Sequence, residues 1–275
     1  MTDFSALART LAPLVHETTR EAGAIANTFF RHGDKTAAQI WSKAGGSPVT
    51  EADIAVDVFL KIRLSEALPE AGWLSEETAD DPSRLNRQLV WIVDPIDGTR
   101  AFLSGHPDWS VAIALLADGR PVLGVVHAPA LDAFYEAVKG EGARLNGAPI
   151  KVSSHASLRG ARVAGPKPLV DKLEHAAGQV VRIERIPSLA LRIARVAEGR
   201  VDLGLVSSDA RDWDLAGADL VLQEAGGRLT GFDGEPLVYN QPEPLHGELA
   251  VASNRLHPRL IEAMTARRQV DAAHG

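Results

Sequence analysis

The 275-residue chain contains no cysteine, only two methionines and few aromatic residues, which make up 5% of the sequence. The absence of cysteine excludes disulfide bonds, thiolate zinc sites, iron–sulfur clusters and a cysteine nucleophile. The longest uninterrupted apolar run, near residues 111–117, is far shorter than the ~20 residues that span a bilayer. The N-terminus carries Asp3 and has no basic region before an apolar core, unlike a secretory signal. We therefore expect a cytoplasmic protein without a membrane span.

Positive charge is also scarce: 29 Lys and Arg residues face 36 Asp and Glu residues, which gives a formal net charge of −7. This balance disfavours a nucleic-acid polymer as partner, because such binding depends on cationic surface that releases counterions. A small phosphorylated metabolite is not excluded. The chain has neither a Gly-Lys phosphate-binding loop nor a Gly-x-Ser-x-Gly nucleophile elbow. The position of the acidic residues therefore becomes the informative feature.

Hydrophobic periodicity separates the chain into two halves of different architecture. The first half predicts two helices, at residues 5–31 and 53–68, followed by an antiparallel meander with strands at 89–93, 110–117, 122–128 and 134–138. The second half alternates predicted strands at 162–164, 180–186, 201–206 and 249–252 with helices at 170–177, 188–198, 214–225 and 257–266. We predict a mixed α+β and α/β fold with an N-terminal metal-binding lobe, residues 1–155, and a C-terminal lobe, residues 156–275.

The densest acidic motif is the segment Trp-Ile-Val-Asp-Pro-Ile-Asp-Gly-Thr at residues 91–99. An apolar strand ends in Asp94, Pro95 turns the chain, and Asp97 follows three residues later, so we expect both carboxylates to face one crevice. Gly98 permits close backbone approach, and the amides of Gly98 and Thr99 could attract an anion. Carboxylate oxygens are ligands that Mg²⁺ prefers. Turn formation alone explains the Asp-Pro and Asp-Gly pairs equally well.

Three other acidic segments are ambiguous when taken singly. Glu76 and Glu77 follow an apolar pair and could begin a solvated helix. Thr50 and Asp53 have the spacing of a capping box, and Asp214 lies near a predicted helix start, so helix capping explains both segments.

Together, the order and context of these segments resemble the inositol monophosphatase superfamily of Mg²⁺-dependent, Li⁺-sensitive phosphatases. The matching residues are 49–53, 76–77, 91–102, 213–217 and 224–227. Milder similarity at residues 124–129 and 140–147 extends the resemblance over most of the chain. The resemblance implies a layered αβαβα sandwich and a homodimer.

The resemblance also implies a role for each matching residue. The expected ligands of two or three Mg²⁺ ions are Glu76, Asp94, Asp97, Asp214 and the carbonyl oxygen of Ile96. Asp53 and Thr99 would form a hydrogen-bonded pair that orients and activates the attacking water, with Glu76 as the third catalytic residue. The expected substrate contacts are Gly98, Thr99, Asp214, Ser188 and Arg192. Residues 32–46 are expected near the site, with Lys43 as an electrostatic contact and their closure over the site left open.

Substrate choice is less sharply indicated. Residues 47–50 and 74–77 look most like the bacterial 3′(2′),5′-bisphosphate nucleotidases, and residues 188–199 are similar to a nucleotidase segment with Arg192 at its lysine. Hydrolysis of adenosine 3′,5′-bisphosphate to AMP is therefore favoured. Ser207 stands where many inositol monophosphatases have an acid, and residues 105–109 look more like sugar and histidinol phosphatases. Inositol 1-phosphate, a related sugar phosphate and histidinol phosphate remain alternatives, with a catalytically silent cation-binding scaffold as a remote one.

Overall fold

The computed structural model describes residues 4–43 and 46–266. The helices are α1 (Phe4–Phe29), α2 (Glu51–Ala67), α3 (Thr99–Leu103), α4 (Lys167–Ala177), α5 (Leu189–Ala197), α6 (Asp212–Glu224) and α7 (His257–Thr265). Short 3₁₀ turns occupy Pro82–Asn86 and Pro129–Leu131.

The strands form three sheets. A small hairpin pairs β1 (Ile40–Ser42) with β2 (Pro48–Thr50). The large sheet contains, in spatial order, β3 (Gly72–Ser75), β4 (Leu89–Asp97), β5 (Ser110–Ala117), β6 (Arg120–Ala128), β7 (Ala133–Val138), β8 (Ala143–Leu145) and β9 (Ala148–Pro149). The third sheet has the order β11-β10-β12-β14-β13, with β10 (Arg162–Ala164), β11 (Val181–Arg182), β12 (Leu203–Val206), β13 (Gly227–Gly231) and β14 (Leu249–Ser253).

The elements stack in five layers. Helices α1 and α2 cover one face of the seven-stranded sheet, and α5 and α6 lie between that sheet and the five-stranded one. Helices α4 and α7 pack on the outer face of the five-stranded sheet. Three apolar clusters of buried side chains fill the spaces between layers. The mixed α and β fold class and the predicted layered αβαβα sandwich are both confirmed.

Most of the predicted elements are present, with shifts at their ends. The predicted strand at residues 180–186 is reduced to the two residues of β11. Strands β3 and β13 were not predicted from periodicity. β3 has four residues, and β13 begins and ends in glycine, so neither has the length or the β-branched composition that marks a strand in isolation.

Glycines let the central helix approach the large sheet. A Cβ added at Gly217 of α6 would lie 2.7 Å from the carbonyl oxygen of Ile113, and one at Gly124 of β6 would lie 2.5 Å from the carbonyl oxygen of Gly217. Helix and sheet backbones therefore touch directly here. This contact fixes the height of the first turn of α6 above the ends of the strands.

The predicted division at residue 155 stays a prediction. The large sheet ends at Pro149 and the five-stranded sheet begins at Arg162, while the apolar cluster around α5 and α6 draws residues from both sides. Within the described ranges, no helix combines the length and apolar character needed to cross a membrane.

Candidate active site

The end of β4 carries two acidic side chains on one irregular stretch of backbone. Asp94 pairs with Ala112 of β5 and Asp97 with Ser110, and the register shifts between these two pairs. Pro95 lies inside this irregularity, as expected for a residue that cannot donate to the strand ladder. In a regular strand, residues three apart point to opposite faces, so the shift is what allows both carboxylates to reach the same side.

Glu76 reaches the same edge because β3 runs parallel to β4. Ser75 pairs with Val93, and the amide of Glu76 donates to the carbonyl of Val93 at 3.3 Å. Parallel pairing brings the carboxyl ends of both strands together. The Lys43 ammonium donates to Glu76 and to Glu77, each at 2.7 Å. The segment 74–78 contains no helix start, and the Glu77 side chain is only 7% exposed, so these acids are not a solvated surface.

Asp214 comes from the first turn of α6. Its carboxylate accepts from the backbone amide of Arg211 at 2.7 Å, so it closes the helix N-terminus as well as facing the crevice. Carboxylate oxygens of Asp94, Asp97 and Asp214 lie within 4.8 Å of one another. Two segments that are far apart in sequence, the end of β4 and the first turn of α6, thus converge on one point.

Asp53 lies in the first turn of α2, where Thr50 is the N-cap residue. The backbone amide of Thr50 donates to Asp53 Oδ2 at 2.9 Å, and the Thr50 hydroxyl accepts from the amide of Asp53, which is the predicted capping box. The Thr99 hydroxyl donates to the carbonyl oxygen of Ile96 at 3.2 Å. In the described residues, the Asp53 and Thr99 side chains each bind these neighbours instead of one another.

The backbone at Gly98 is tightly enclosed. Its φ is +89°, and an added Cβ would lie 3.1 Å from the Asp108 carbonyl oxygen and 3.2 Å from the Ser188 nitrogen. Only glycine fits this combination of a left-handed backbone and close neighbours. Gly98 precedes α3, so the amide of Thr99 opens a short helical turn beside Asp97.

Ser188 connects Asp97 to α5. Its buried hydroxyl donates to Asp97 Oδ2 at 2.5 Å, accepts from the amide of Leu191 at 3.0 Å as the helix N-cap, and bonds Ser110 Oγ at 2.9 Å. The amide of Ala190 also donates to Asp97 Oδ2, at 2.6 Å. Asp97 is therefore held by the N-terminus of α5, an arrangement suited to a carboxylate.

Arg192 is held by backbone carbonyl groups in this structure. Its guanidinium donates to the carbonyl oxygen of Ile186, at 3.0 Å through Nη2, and to that of Leu205 at 3.4 Å. The side chain thus ties α5 to the preceding loop and to β12 through three hydrogen bonds to backbone carbonyls. Burial lowers the pKa of Arg192, although Asp97 acts in the opposite direction.

Electrostatics within the crevice oppose ionisation. Burial raises the pKa of Asp53 to about 6 and that of Asp97 to about 6. Burial, with Glu76 nearby, raises the pKa of Asp94 well above its ordinary value, and burial with Asp97 does the same for Asp214. A cation placed among these groups would reverse this trend, since it favours the charged form of every carboxylate.

Unpartnered oxygens show that the crevice fits a cation. Both carboxylate oxygens of Asp94 and Oδ1 of Asp53 are buried and find no hydrogen-bond donor in residues 4–43 and 46–266. Buried carboxylates without a partner are strongly unfavourable. An all-oxygen set of donors suits a hard cation such as Mg²⁺.

Sequence reasoning missed one group of residues beside the crevice. Asp57 of α2 accepts hydrogen bonds from the hydroxyls of Ser75 and Thr78, which flank Glu76 and Glu77. Its position four residues after Asp53 puts both acids on the same helix face, which was the available signal.

The chain is similar in sequence to known phosphatases. The sequence profile described as "Inositol monophosphatase family" matches residues 8–269. A histidinol-phosphatase of Mycobacterium tuberculosis is 38% identical over 241 residues, covering 83% of this chain and 88% of the relative. A 3′(2′),5′-bisphosphate nucleotidase CysQ of Aggregatibacter actinomycetemcomitans is 33% identical over 210 residues, covering 73% and 78%.

A solved structure gives the same result for the fold. The extragenic suppressor protein suhB from Bartonella henselae superposes with a TM-score of 0.81 at 27% identity, covering 93% of this chain and 98% of that one. Since the family profile spans almost the whole described chain, the protein belongs to the inositol monophosphatase family.

Proposed function

We propose that the protein is a Mg²⁺-dependent phosphomonoesterase that hydrolyses a small phosphate ester with water as nucleophile. The observation that carries this proposal is the convergence of Asp94, Asp97 and Asp214 within 4.8 Å, with both Asp94 oxygens buried and lacking donors in the described residues. Family membership supports phosphatase chemistry. A catalytically silent scaffold would not need Asp53 and Thr99 beside four acidic ligands.

Each proposed ligand would contribute oxygen to one crevice. Glu76, Asp94, Asp97, Asp214 and the carbonyl oxygen of Ile96 would hold two or three Mg²⁺ ions. Bound there, Mg²⁺ would supply positive charge that makes water more acidic and neutralises phosphate oxygens. Lys43 bonds Glu76 in this structure, so it marks where positive charge is favourable in the crevice.

The remaining residues would position the substrate and the water. The amides of Gly98 and Thr99 would donate to phosphate oxygens beside Asp97. The Asp53 carboxylate and Thr99 hydroxyl would orient the attacking water and accept its proton, with Glu76 close by. Asp214 would line the leaving-group side. For Ser188 and Arg192, their bonds to Asp97 and to backbone carbonyls support an indirect contribution through α5.

For the substrate, we propose adenosine 3′,5′-bisphosphate as the first candidate. The segments at residues 47–50, 74–77 and 188–199 support it, together with the similarity to the Aggregatibacter nucleotidase. Histidinol phosphate is the second candidate, because the Mycobacterium histidinol-phosphatase matches at higher identity over more of the chain. Inositol 1-phosphate and related sugar phosphates complete the set to be tested.

A panel of these substrates tests both the Mg²⁺-dependent phosphatase activity and the choice of substrate. We expect purified wild type to release phosphate from 4-nitrophenyl phosphate only with Mg²⁺, and kcat/KM for adenosine 3′,5′-bisphosphate to exceed the value for every other substrate in the panel. A tenfold preference for histidinol phosphate or inositol 1-phosphate would replace the nucleotidase assignment but leave the phosphatase proposal intact. No Mg²⁺-dependent release from any substrate would overturn both.

Assembly, inhibition and location form a separate proposal. We propose a cytoplasmic homodimer whose activity is inhibited by Li⁺, as the family resemblance implies. Light scattering of the full chain should give twice the mass of one 29.3 kDa chain, and millimolar LiCl should inhibit where NaCl does not. A monomeric mass would refute the dimer without touching the catalytic proposal.

A further inference from the structure

Asp57 is an acidic side chain that lies beside the crevice but outside the proposed set of metal ligands. Asp57 is 5% exposed and lies on α2, one helical turn after Asp53. Its Oδ1 accepts from the Ser75 hydroxyl, and its Oδ2 accepts from the Thr78 hydroxyl at 2.5 Å. Both oxygens are therefore used, and both donors are neutral.

Within the described residues, hydroxyl groups alone donate to the buried carboxylate of Asp57. Filling a core position in this way is energetically unfavourable. Neutral hydroxyls compensate the lost hydration of a charge less fully than a cation does. An apolar side chain would pack this helix face at lower cost. The presence of a carboxylate at residue 57 is therefore to be explained by what it holds in place.

The two hydroxyls lie on either side of the acidic pair. Ser75 ends β3 immediately before Glu76, and its Oγ also accepts from the amide of Glu77 at 3.4 Å. Thr78 follows Glu77 directly. The backbone of Glu76 is tied to Val93 on its other side. Asp57 thus fastens both flanks of the Glu76–Glu77 turn to α2.

The same face of α2 carries Asp53, four residues before Asp57. Residues four apart on a helix are neighbours on one face. Movement of the Glu76 turn relative to Asp53 is therefore limited by one side chain. Ser75 and Thr78 could not limit this movement without a hydrogen-bond acceptor on α2.

We propose that Asp57 is a positioning residue that sets Glu76 at the distance from Asp53 and Asp94 needed for metal binding. This inference rests on the proposed function, because it takes Glu76 as a metal ligand. Asp57 acts through Ser75 and Thr78, and its own oxygens remain bound to their hydroxyls.

Metal binding by the full-length protein gives the direct test. Free Mn²⁺ measured by electron paramagnetic resonance reports binding without turnover, and the Mg²⁺ concentration for half-maximal hydrolysis of 4-nitrophenyl phosphate reports it during turnover. We expect Asp57→Ala to weaken Mn²⁺ binding by about tenfold or more and to raise the half-maximal Mg²⁺ concentration by the same factor. Loss of a residue that orients a ligand typically has this effect. kcat at saturating Mg²⁺ should fall less than the affinity for Mg²⁺. Asp57→Asn should recover part of the loss, because its amide oxygen still accepts one hydroxyl.

Control variants separate positioning from general stability. Asp202 is also a buried aspartate, bonded to Arg162 in the five-stranded sheet, so Asp202→Asn should lower Tm but leave Mn²⁺ affinity unchanged. Ser75→Ala and Thr78→Val should each weaken Mn²⁺ binding in the same direction as Asp57→Ala, and they remain informative if that variant does not fold.

Failure of the role of Asp57 and failure of the proposed phosphatase function would give different results. Folded Asp57→Ala, Ser75→Ala and Thr78→Val proteins with wild-type Mn²⁺ affinity would overturn the role of Asp57 while Mg²⁺-dependent hydrolysis by wild type still stood. Wild type that neither binds Mn²⁺ nor requires Mg²⁺ would overturn the proposed function itself.

Discussion

At the scale of single residues, ionisation of Asp94 is opposed both by burial and by the neighbouring acids. Its two oxygens are buried without donors in the described part of the chain, and burial raises its pKa well above the ordinary value. Such a group is unfavourable in the metal-free protein and valuable once a cation is bound. Stability and metal binding should therefore respond in opposite directions when its charge is removed.

We expect Asp94→Asn to raise the free energy of unfolding of the metal-free protein by about 1–3 kcal/mol, because a neutral amide is easier to bury than a carboxylate. The same change should abolish Mg²⁺-dependent phosphate release. Urea denaturation in EDTA at pH 7.5 measures the first effect. Greater stability of wild type than of Asp94→Asn under these conditions would contradict the account.

The half-buried side chain of His127, away from the crevice, predicts a different pH dependence. Burial lowers its pKa to about 4, with Arg20 acting in the same direction and the Ala133 carbonyl and Asp132 opposing it. In the unfolded chain the imidazole binds a proton near pH 6.5, whereas in the folded protein it does so only near pH 4. The unfolded state therefore binds more protons between these values, and the stability that His127 contributes is lost as pH falls through that window.

Comparison of wild type with His127→Gln isolates this contribution. The stability advantage of wild type should shrink by roughly 1–3 kcal/mol between pH 7 and pH 4.5, measured by urea denaturation. Exposed His175 supplies the matched control, since His175→Gln removes an imidazole from the protein surface. A constant difference for His127→Gln would show that its imidazole titrates normally in the folded state.

At the scale of elements, the contact of α6 with the large sheet sets the position of Asp214. Gly217 lies three residues after Asp214, and its Cα faces the backbones of β5 and β6. Family resemblance had singled out both Gly217 and Gly124 without a reason. Backbone contact between helix and sheet supplies that reason.

Gly217→Ala should therefore destabilise the protein by about 1–3 kcal/mol and lower kcat/KM, because the added methyl group pushes α6 and Asp214 away from Asp94. Gly247→Ala is the control: an added Cβ there meets no atom within 4 Å, and its φ lies in the ordinary range. Differential scanning calorimetry and steady-state kinetics measure the two effects. Unchanged kcat/KM in a destabilised Gly217→Ala would show that Asp214 tolerates the shift.

At the scale of the whole molecule, much of the net charge of −7 comes from acids of the proposed metal site. The five acids of the proposed site, Asp53, Glu76, Asp94, Asp97 and Asp214, account for five of those charges, so the sum without them is −7 + 5 = −2. An acidic protein can accept an acidic substrate when bound cations reverse the local sign.

Mg²⁺ should consequently stabilise the whole fold by binding the native state alone. At about a hundredfold excess over its dissociation constant, the gain is about 2.7 kcal/mol, equivalent to roughly 5–10 °C in Tm. The measurement compares thermal unfolding in MgCl₂, in EDTA and in NaCl of equal ionic strength. An equal rise in NaCl, or an equal rise for Asp94→Asn, would point to general screening of charge.

The sequence by itself determined where the acidic motifs lie and most of the elements that hold them. Local sequence pattern predicted the carboxylates at strand ends, the capping box of Thr50 and Asp53, and most helices. Each of these features depends on neighbours only a few residues away. The layered sandwich was implied by resemblance and is confirmed, while the roles of the predicted site residues stay predictions.

Only the tertiary structure decided how these pieces meet. The register shift at Pro95 turns Asp94 and Asp97 to one side, and parallel pairing of β3 with β4 delivers Glu76. The hydroxyl bonds of Asp57, the backbone bonds of Arg192 and the contact at Gly217 join segments that are separated in sequence. Periodicity records only which face of an element is buried, whereas these contacts depend on what lies opposite that face.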